Sequence, residues 1–222
     1  MFTKVLIVDD IDFNDVAAVQ VLNELHITTI DSAKYCDEAL LKIKNAHREN
    51  NPYQLLISDL SFKPDHRQEK LQSGQELIET VKQLYPEIKI IAFSIEDKSY
   101  AIKMLFDKYN IDGYVIKGRH SIVELKTAIQ TIWDTDEKYI SPELQHIHKD
   151  KTINEIDNYD IKILEYLSQG IPQDNMQAKF KELGISPSSK STIEKHINKL
   201  KIYFQANNTI QLVAITKDLG II

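Results

Sequence analysis

The chain has 222 residues, 42% of them hydrophobic and 27% charged, with 27 Lys+Arg against 33 Asp+Glu for a formal net charge of -6. That length suits two modest domains with real cores, and the composition is ordinary for a soluble protein. The single cysteine, Cys36, excludes an internal disulfide and fits a reducing cytosol, no apolar stretch approaches a membrane span, and Met1-Phe2-Thr3-Lys4 leads straight into a strand, unlike a signal peptide; a cytoplasmic protein with no membrane association is expected.

Val5-Leu6-Ile7-Val8 reads as a first strand, followed by Val16, Val19, Leu22 and Leu25 at helical spacing, a strand over Ile27 to Ile30, and a helix marked by Ala39, Leu40, Ile43 and Ala46. Next come the strand Leu55-Leu56-Ile57-Ser58, a helix near Gln75 to Leu84, the strand Ile90-Ile91-Ala92-Phe93, a helix near Ala101 to Phe106, and the strand Tyr114-Val115-Ile116. A helix through Ile122, Leu125, Ile129 and Ile132 ends the series. Five β/α units in succession predict an α/β doubly wound five-stranded parallel sheet over residues 1–135. Asp136 to Asn154 mixes charge, Pro142 and the pair His146/His148 with weak periodicity and reads as a linker. Those histidines lack a partner acid or Cys cluster and read as solvated. From residue 155 to 222 the pattern is wholly helical. Ile161, Leu164 and Leu167 stop at Gly170-Ile171-Pro172; Met176, Phe180 and Leu183 stop at Gly184; Ile193, Ile197, Leu200 and Phe204 form a third stripe; Leu212 to Leu219 closes the series. This is a small all-α domain whose middle helices, separated by Gly184-Ile185-Ser186-Pro187, make a helix-turn-helix candidate.

The strand ends carry chemistry. The first strand ends in Asp9-Asp10, the third in Asp59, the fourth in Ser94 and the fifth in Lys117. In an open parallel sheet the carboxyl ends of the strands line the ligand crevice, so these side chains converge. Clustered carboxylates suit a hard dication such as Mg²⁺, which neutralises an incoming phosphoryl group, while a hydroxyl and an ammonium hold its remaining oxygens. None of the six glycines belongs to a Gly-rich phosphate loop, which leaves nucleotide enzymes unsupported.

On these residues, Val5 to Thr135 resembles the receiver domain of two-component response regulators. Asp9 and Asp10 match the acidic pair, Asp59 the phosphoacceptor, Ser94 the switch hydroxyl, Tyr114 the switch aromatic and Lys117 the lysine. The resemblance implies that Asp10, the Asp59 carboxylate and the backbone carbonyl of Ser61, beside Asp9, hold Mg²⁺. It also implies that a histidine kinase donates the phosphate and that Ser94 and Tyr114 then reorient the face bearing the fourth helix and fifth strand. The sequence departs from the family after Asp59, where Phe62-Lys63-Pro64 begins a long polar run reaching Gly74 in place of a short Met-Pro turn. Within that run Lys63, His66, Arg67 and Lys70 read as solvated side chains of an enlarged surface loop.

Residues 150–222 balance 9 basic against 9 acidic residues, while residues 1–149 carry the whole excess of -6; Met176 to Phe204 alone holds six lysines against Glu182 and Glu194, a local +4 suited to a polyanion. The helical segment resembles the DNA-binding domain of the LuxR, NarL and FixJ family at Ile161-Leu164-Leu167-Gly170, at Gly184-Ile185-Ser186-Pro187, at Thr192, Ile193, His196, Leu200 and Phe204, and at Ala214 to Ile221. Three extra residues within Ser188 to Ser191 lengthen the turn, and Glu194 replaces the family's usual lysine. The apolar stripe of the recognition helix turns Ser191, Glu194, Lys195 and Asn198 outward, types that read base edges; Thr192 and Lys199 join them as candidate DNA contacts. His196 neighbours the stripe and is read as packing or meeting a phosphate.

The expectation is a phosphorylation-controlled transcription regulator, a switch and not an enzyme. Its partners are a histidine kinase and double-stranded DNA, with a homodimer possible on phosphorylation. Two other readings compete: a receiver whose helical tail binds protein instead of DNA, and a haloacid-dehalogenase-type phosphatase using Asp10-Ile11-Asp12. The latter leaves Asp59 and the tail unexplained, and Lys117 is followed by Gly118-Arg119-His120 where an acidic cluster is required.

Overall fold

A computed structural model describes residues 1–63, 69–145 and 156–222, with the side chains of 12–15 excepted. The chain forms two compact units: residues 1–97 with 102–145, and residues 98–101 with 146–222. His66 and Arg67, like His146 and His148, lie outside the described residues.

The first unit is a parallel sheet of β1 (Lys4–Val8), β2 (Thr29–Ala33), β3 (Leu55–Ser58), β4 (Lys89–Ser94), β5 (Gly113–Ile116) and β6 (Tyr139–Ile140), in the spatial order β2-β1-β3-β4-β5-β6. Its helices are α1 (Asp12–Glu24), α2 (Cys36–Arg48), α3 (Gly74–Leu84), α4 (Ser99–Asp107) from residue 102 on, and α5 (Ser121–Thr135). The central strands are apolar throughout because helices cover both faces, which is why they read as continuous runs. On one face Val5, Ile7, Leu55, Ile57, Ile91, Phe93 and Val115 pack with Ala18, Val21, Leu22 and Leu25 of α1 and Leu125, Ala128, Ile129 and Ile132 of α5. α2 complements its own dipole, with Asp37 and Glu38 in its first turn and His47 and Arg48 in its last.

Three expectations need correction. The sheet has six strands where five were expected, because Tyr139-Ile140, inside the expected linker, pairs with Gly113 and Tyr114; a two-residue strand is too short to show alternation. Residues 136–145 accordingly join the first unit. Among the described side chains of α1 and its C-cap, Ala18, Val21, Leu22 and Leu25 are the buried ones, while Val16 is 65% exposed. Steps of three residues drift by about 60° each at about 100° per residue, so Val16, Val19, Leu22 and Leu25 spread around the helix, whereas 18, 21, 22 and 25 stay on one stripe. The second strand is Thr29–Ala33, with Ile27 a buried residue ahead of it.

The second unit contains α6 (Asn158–Ser168), α7 (Gln173–Glu182), α8 (Lys190–Tyr203) and α9 (Thr209–Asp218). Three starts are capped by side chains: Asp157 with Asp160 in a reciprocal capping box, Ser189 accepting from the Thr192 N–H, and Asn208 accepting from the Gln211 N–H. Ile163, Leu164, Met176, Phe180, Ile193, Ile197, Leu200 and Leu212 are among its buried apolar side chains. Ile161 and Leu167, residues of the helical apolar pattern, are only half-buried, and Leu183 is 46% exposed.

Candidate functional site

β1 and β3 are neighbours, and the strand order reverses between them, β2 lying on one side of β1 and β3, β4 and β5 on the other. A doubly wound sheet opens its crevice at such a reversal, beyond the carboxyl ends of the strands. The register Val8↔Ser58 sets Asp9 and Asp59 side by side, each held by its own amide: Asp59 N–H donates to Val8 O at 2.9 Å, and Asp9 N–H to Ala33 O at 3.2 Å. Both acids are buried, and oxygens of Asp9, Asp10 and Asp59 lie within 4.8 Å of one another.

Lys117, immediately past β5, reaches across to this group. Its Nζ donates to Asp59 Oδ2 at 2.5 Å and Asp9 Oδ2 at 2.7 Å, over the Phe93 ring at 5.3 Å. Buried charges persist only when compensated. Three carboxylates facing one ammonium leave a formal excess of two negative charges, and all-oxygen donors of that charge fit a hard dication. Three of the four remaining oxygens are engaged by backbone: Asp59 Oδ1 accepts from Leu60 N–H at 2.6 Å and Ser61 N–H at 3.3 Å, Asp9 Oδ1 from Ile11 N–H at 2.9 Å, and Asp10 Oδ2 from Lys63 N–H at 3.1 Å.

Ser94 ends β4 beside β5, and its carbonyl accepts from Lys117 N–H at 2.8 Å. Its hydroxyl is fully buried without a hydrogen-bond partner among the described residues. A buried unsatisfied hydroxyl is costly, so its retention at this spot points to a group it can receive. Tyr114 is turned fully inward, its hydroxyl donating to Glu96 O at 2.6 Å; burial, with the charges of Glu96, Asp59 and Asp97, pushes its phenol upward and keeps it protonated. Lys117 is thus brought onto Asp9 and Asp59, Asp10 completes the acidic group, and Ser94 and Tyr114 occupy the adjoining strands.

Sequence reasoning missed how closely α3 approaches this site. Gly74 opens α3, donates its N–H to Leu60 O at 3.0 Å, and sits so close to Asp59 that a Cβ would lie 1.8 Å from the Asp59 carbonyl oxygen. The signal was the glycine ending the polar run. Beyond the Lys63 contact with Asp10, that run is anchored where Asp37 accepts from Lys70 N–H at 2.7 Å and Leu71 N–H at 3.2 Å.

In the second unit, Ser191, Lys195 and Asn198 are exposed along α8, on the side away from Ile193, Ile197 and Leu200. Thr192 and Glu194 are half-buried: the Thr192 hydroxyl lies 2.7 Å from Ser189 Oγ in the helix cap, and Glu194 is 3.9 Å from Lys190. Lys199 is engaged internally, donating to the fully buried Asp160 at 3.2 Å. The same carboxylate lies 2.6 Å from His196 Nδ1, and His196 packs edge-on against Tyr159. The Tyr159 hydroxyl donates to Pro187 O at 2.5 Å. Adjacent residues of α6 therefore hold both the turn and the helix that follows it.

No family model matches the chain, and no curated protein does. Solved structures do. A structure described as two RcsB dimers bound to two parallel DNAs is similar over 99% of this chain and 100% of its own, at 18% identity and TM-score 0.66. RcsB from Salmonella enterica serovar Typhimurium bound to the P1flhDC promoter with the phosphomimetic BeF3- is similar over 97% and 98%, at 17% identity and TM-score 0.64. The isolated REC domain of RcsB from the same serovar, also with BeF3-, covers 66% of this chain and 99% of its own at 19% identity and TM-score 0.54. These likenesses show the fold: a receiver-type α/β unit followed by a helical unit, in the architecture of the RcsB response regulator.

Proposed function

We propose that this protein is a phosphorylation-controlled DNA-binding transcription regulator, accepting phosphate on Asp59 from a histidine kinase. The observation that carries the reading is the Asp9-Asp10-Asp59 group, whose two buried members, Asp9 and Asp59, are paired by Lys117 at the point where the sheet order reverses. An Asp59 oxygen attacks phosphorus, the new P–O bond forming as the donor's P–N bond breaks and the imidazole leaves with its electron pair and takes up a proton. Asp9, Asp10 and Asp59, with the Ser61 carbonyl, would hold Mg²⁺, which supplies charge neutralisation at the phosphoryl oxygens. Lys117 exchanges its bond to the free Asp59 carboxylate for one to a phosphoryl oxygen, and the Ser94 hydroxyl gains the acceptor it lacks. Tyr114 then follows Ser94 as the switch aromatic. A ligand moves such an equilibrium only by favouring one state, and these new bonds form only after phosphorylation.

What supports the DNA half of the reading is the solved likenesses, described as RcsB bound to DNA, together with the lysine-rich Met176–Phe204 segment and the exposed Ser191, Lys195 and Asn198. Glu194 and Thr192 stand at the edge of that face. The partners proposed are a histidine kinase, double-stranded DNA and a second copy on phosphorylation; residues 1–145 are proposed as the receiver part and 155–222 as the DNA-binding part, with a linker between them. Phosphorylation by a small-molecule donor with Mg²⁺, followed by selection of bound duplexes from a random pool, tests both halves. Asp59→Asn should abolish labelling, since an amide is not a nucleophile here. Undiminished labelling of Asp59→Asn overturns the phosphoacceptor assignment, and absence of salt-dependent duplex binding favours a protein-binding tail.

A further inference from the structure

The three acids of the site are not held alike. Asp9 and Asp59 each give one oxygen to Lys117 and the other to amides one or two residues further along the chain, those of Ile11, Leu60 and Ser61. Asp10 is half-buried, and among the described residues its side chain has a single hydrogen-bond partner: the Lys63 N–H, which donates to Oδ2 at 3.1 Å. Lys63 is itself exposed and belongs to the enlarged polar run after Asp59. That run is fixed again at its far end. Asp37, in the first turn of α2, accepts from Lys70 N–H at 2.7 Å through one carboxylate oxygen and from Leu71 N–H at 3.2 Å through the other. Gln72 N–H then donates to Glu76 at 2.9 Å, and Gly74 N–H to Leu60 O at 3.0 Å. The charges of Asp10 and Asp37 both act on the Cys36 thiol, so the two anchors share one neighbourhood.

A carboxylate that is left to rotate must be ordered when it takes up an ion, and a hydrogen bond that already fixes it removes that loss. The Lys63 amide does this for Asp10: with Oδ2 occupied, Oδ1 is the oxygen left to a cation. We propose that the enlarged run is a positioning device for the metal, in which the Lys63 amide orients Asp10, and Asp37, outside the acidic group, keeps that amide in place by tying down the other end of the run. Resting on the reading of this group as the Mg²⁺ site of a phosphoacceptor, the proposal names what sets the ion's affinity. The Ser61 carbonyl lies in the same stretch, so one anchored segment serves two of the groups that would meet the ion. A long segment has more freedom to lose than a short turn, and an anchor at its far end removes part of that freedom beforehand. Coupling of this kind is reciprocal: if Asp37 raises the site's affinity for the ion, the ion must tighten the bonds from Lys70 and Leu71 to Asp37.

The test is direct calorimetric titration of the full chain with Mg²⁺, without a phosphoryl donor, under conditions where Trp133 fluorescence shows the first unit folded. Lys63→Pro deletes the N–H and should weaken Mg²⁺ by about tenfold or more, whereas Lys63→Ala, which keeps the N–H, should bind as wild type does. Asp37→Ala should weaken Mg²⁺ by roughly fivefold although Asp37 is not a ligand. Asp37→Asn removes the same charge yet keeps one acceptor, and should lose less. Saturating Mg²⁺ should in turn slow hydrogen exchange of the Lys70 and Leu71 amides severalfold. Wild-type affinity in both Lys63→Pro and Asp37→Ala overturns the positioning role and leaves the phosphoacceptor reading intact. Equal losses in Asp37→Ala and Asp37→Asn assign the effect to charge alone and overturn the anchor. Failure of Mg²⁺ to bind the unaltered chain overturns the metal site and the positioning role with it. If Lys63→Pro fails to fold, the Asp37 pair and the exchange measurement decide, and unchanged exchange at Lys70 and Leu71 on saturation with Mg²⁺ refutes the coupling.

Discussion

Gly74→Ala tests how the strand carrying the proposed phosphoacceptor, Asp59, is held. A Cβ at Gly74 would lie 1.8 Å from Asp59 O, 2.8 Å from its carbonyl carbon and 2.9 Å from Leu60 Cα, all backbone atoms that no rotamer change relieves. Reaching even 3.0 Å from that oxygen requires α3 and the Asp59 turn to part by about 1.2 Å, against the Gly74 N–H bond to Leu60 O that ties them. Overpacking costs about 1–3 kcal/mol where side chains yield; a backbone clash belongs at or above the top of that range, and alanine's better helix propensity returns at most about 1 kcal/mol. A net loss of about 2–4 kcal/mol follows, which at about 2 kcal/mol per molar urea lowers the unfolding midpoint by about 1–2 M. Trp133, the sole tryptophan, sits on α5 with its ring 5.0 Å from Phe2, so its fluorescence reports the first unit alone. The displaced Asp59 should also label more slowly with a small-molecule phosphodonor. A midpoint within about 0.3 M of wild type refutes the steric argument.

Three further predictions address charge, proton and DNA. Lys117→Ala should slow or uncouple phosphorylation, since it removes the ammonium paired with Asp9 and Asp59; wild-type labelling and signalling by that variant would deny it the role. Burial, with Asp37, Glu69, Glu76 and Asp10 adding, pushes the Cys36 thiol up to about 12. An unfolded thiol titrates near about 8.5 and the folded state holds the proton more tightly, so this contribution is intact below about pH 8 and lost as pH rises through 9 toward 12. Urea midpoints taken from pH 8 to 11 should fall less steeply for Cys36→Ala than for wild type, and native alkylation at pH 8 should be slow. Lys195→Ala and Asn198→Ala should each cost about 1–3 kcal/mol at one base position, whereas Lys199→Ala, which strips a partner from buried Asp160, should lower the stability of the helical unit. Glu194→Lys should raise non-specific affinity and steepen the salt dependence; binding unchanged at fixed salt in all of these variants would mean that α8 is not the reading helix.

The sequence by itself determined the parallel sheet and the converging strand ends, for a physical reason. Strands covered on both faces must be apolar along their length, and a polar residue ending such a run marks where the sheet meets the crevice. Asp9, Asp10, Asp59, Ser94 and Lys117 were legible that way, as were the helical stripes of Ile193, Ile197 and Leu200 and of Met176 and Phe180. The stripe of α1 was misplaced because steps of three mimic a face only over one turn. What tertiary structure alone decided are contacts between residues distant in the chain. Asp160 and Tyr159 hold α8 and its turn, and Lys199, still exposed, is thereby engaged in an ion pair with Asp160. Gly74 is dictated by the carbonyl of a residue across the loop. β6 exists because Ser141 meets Ile116 and Glu124, not because Tyr139-Ile140 favours a strand: so short a segment has no periodicity to read, and its conformation is set by the sheet edge it completes.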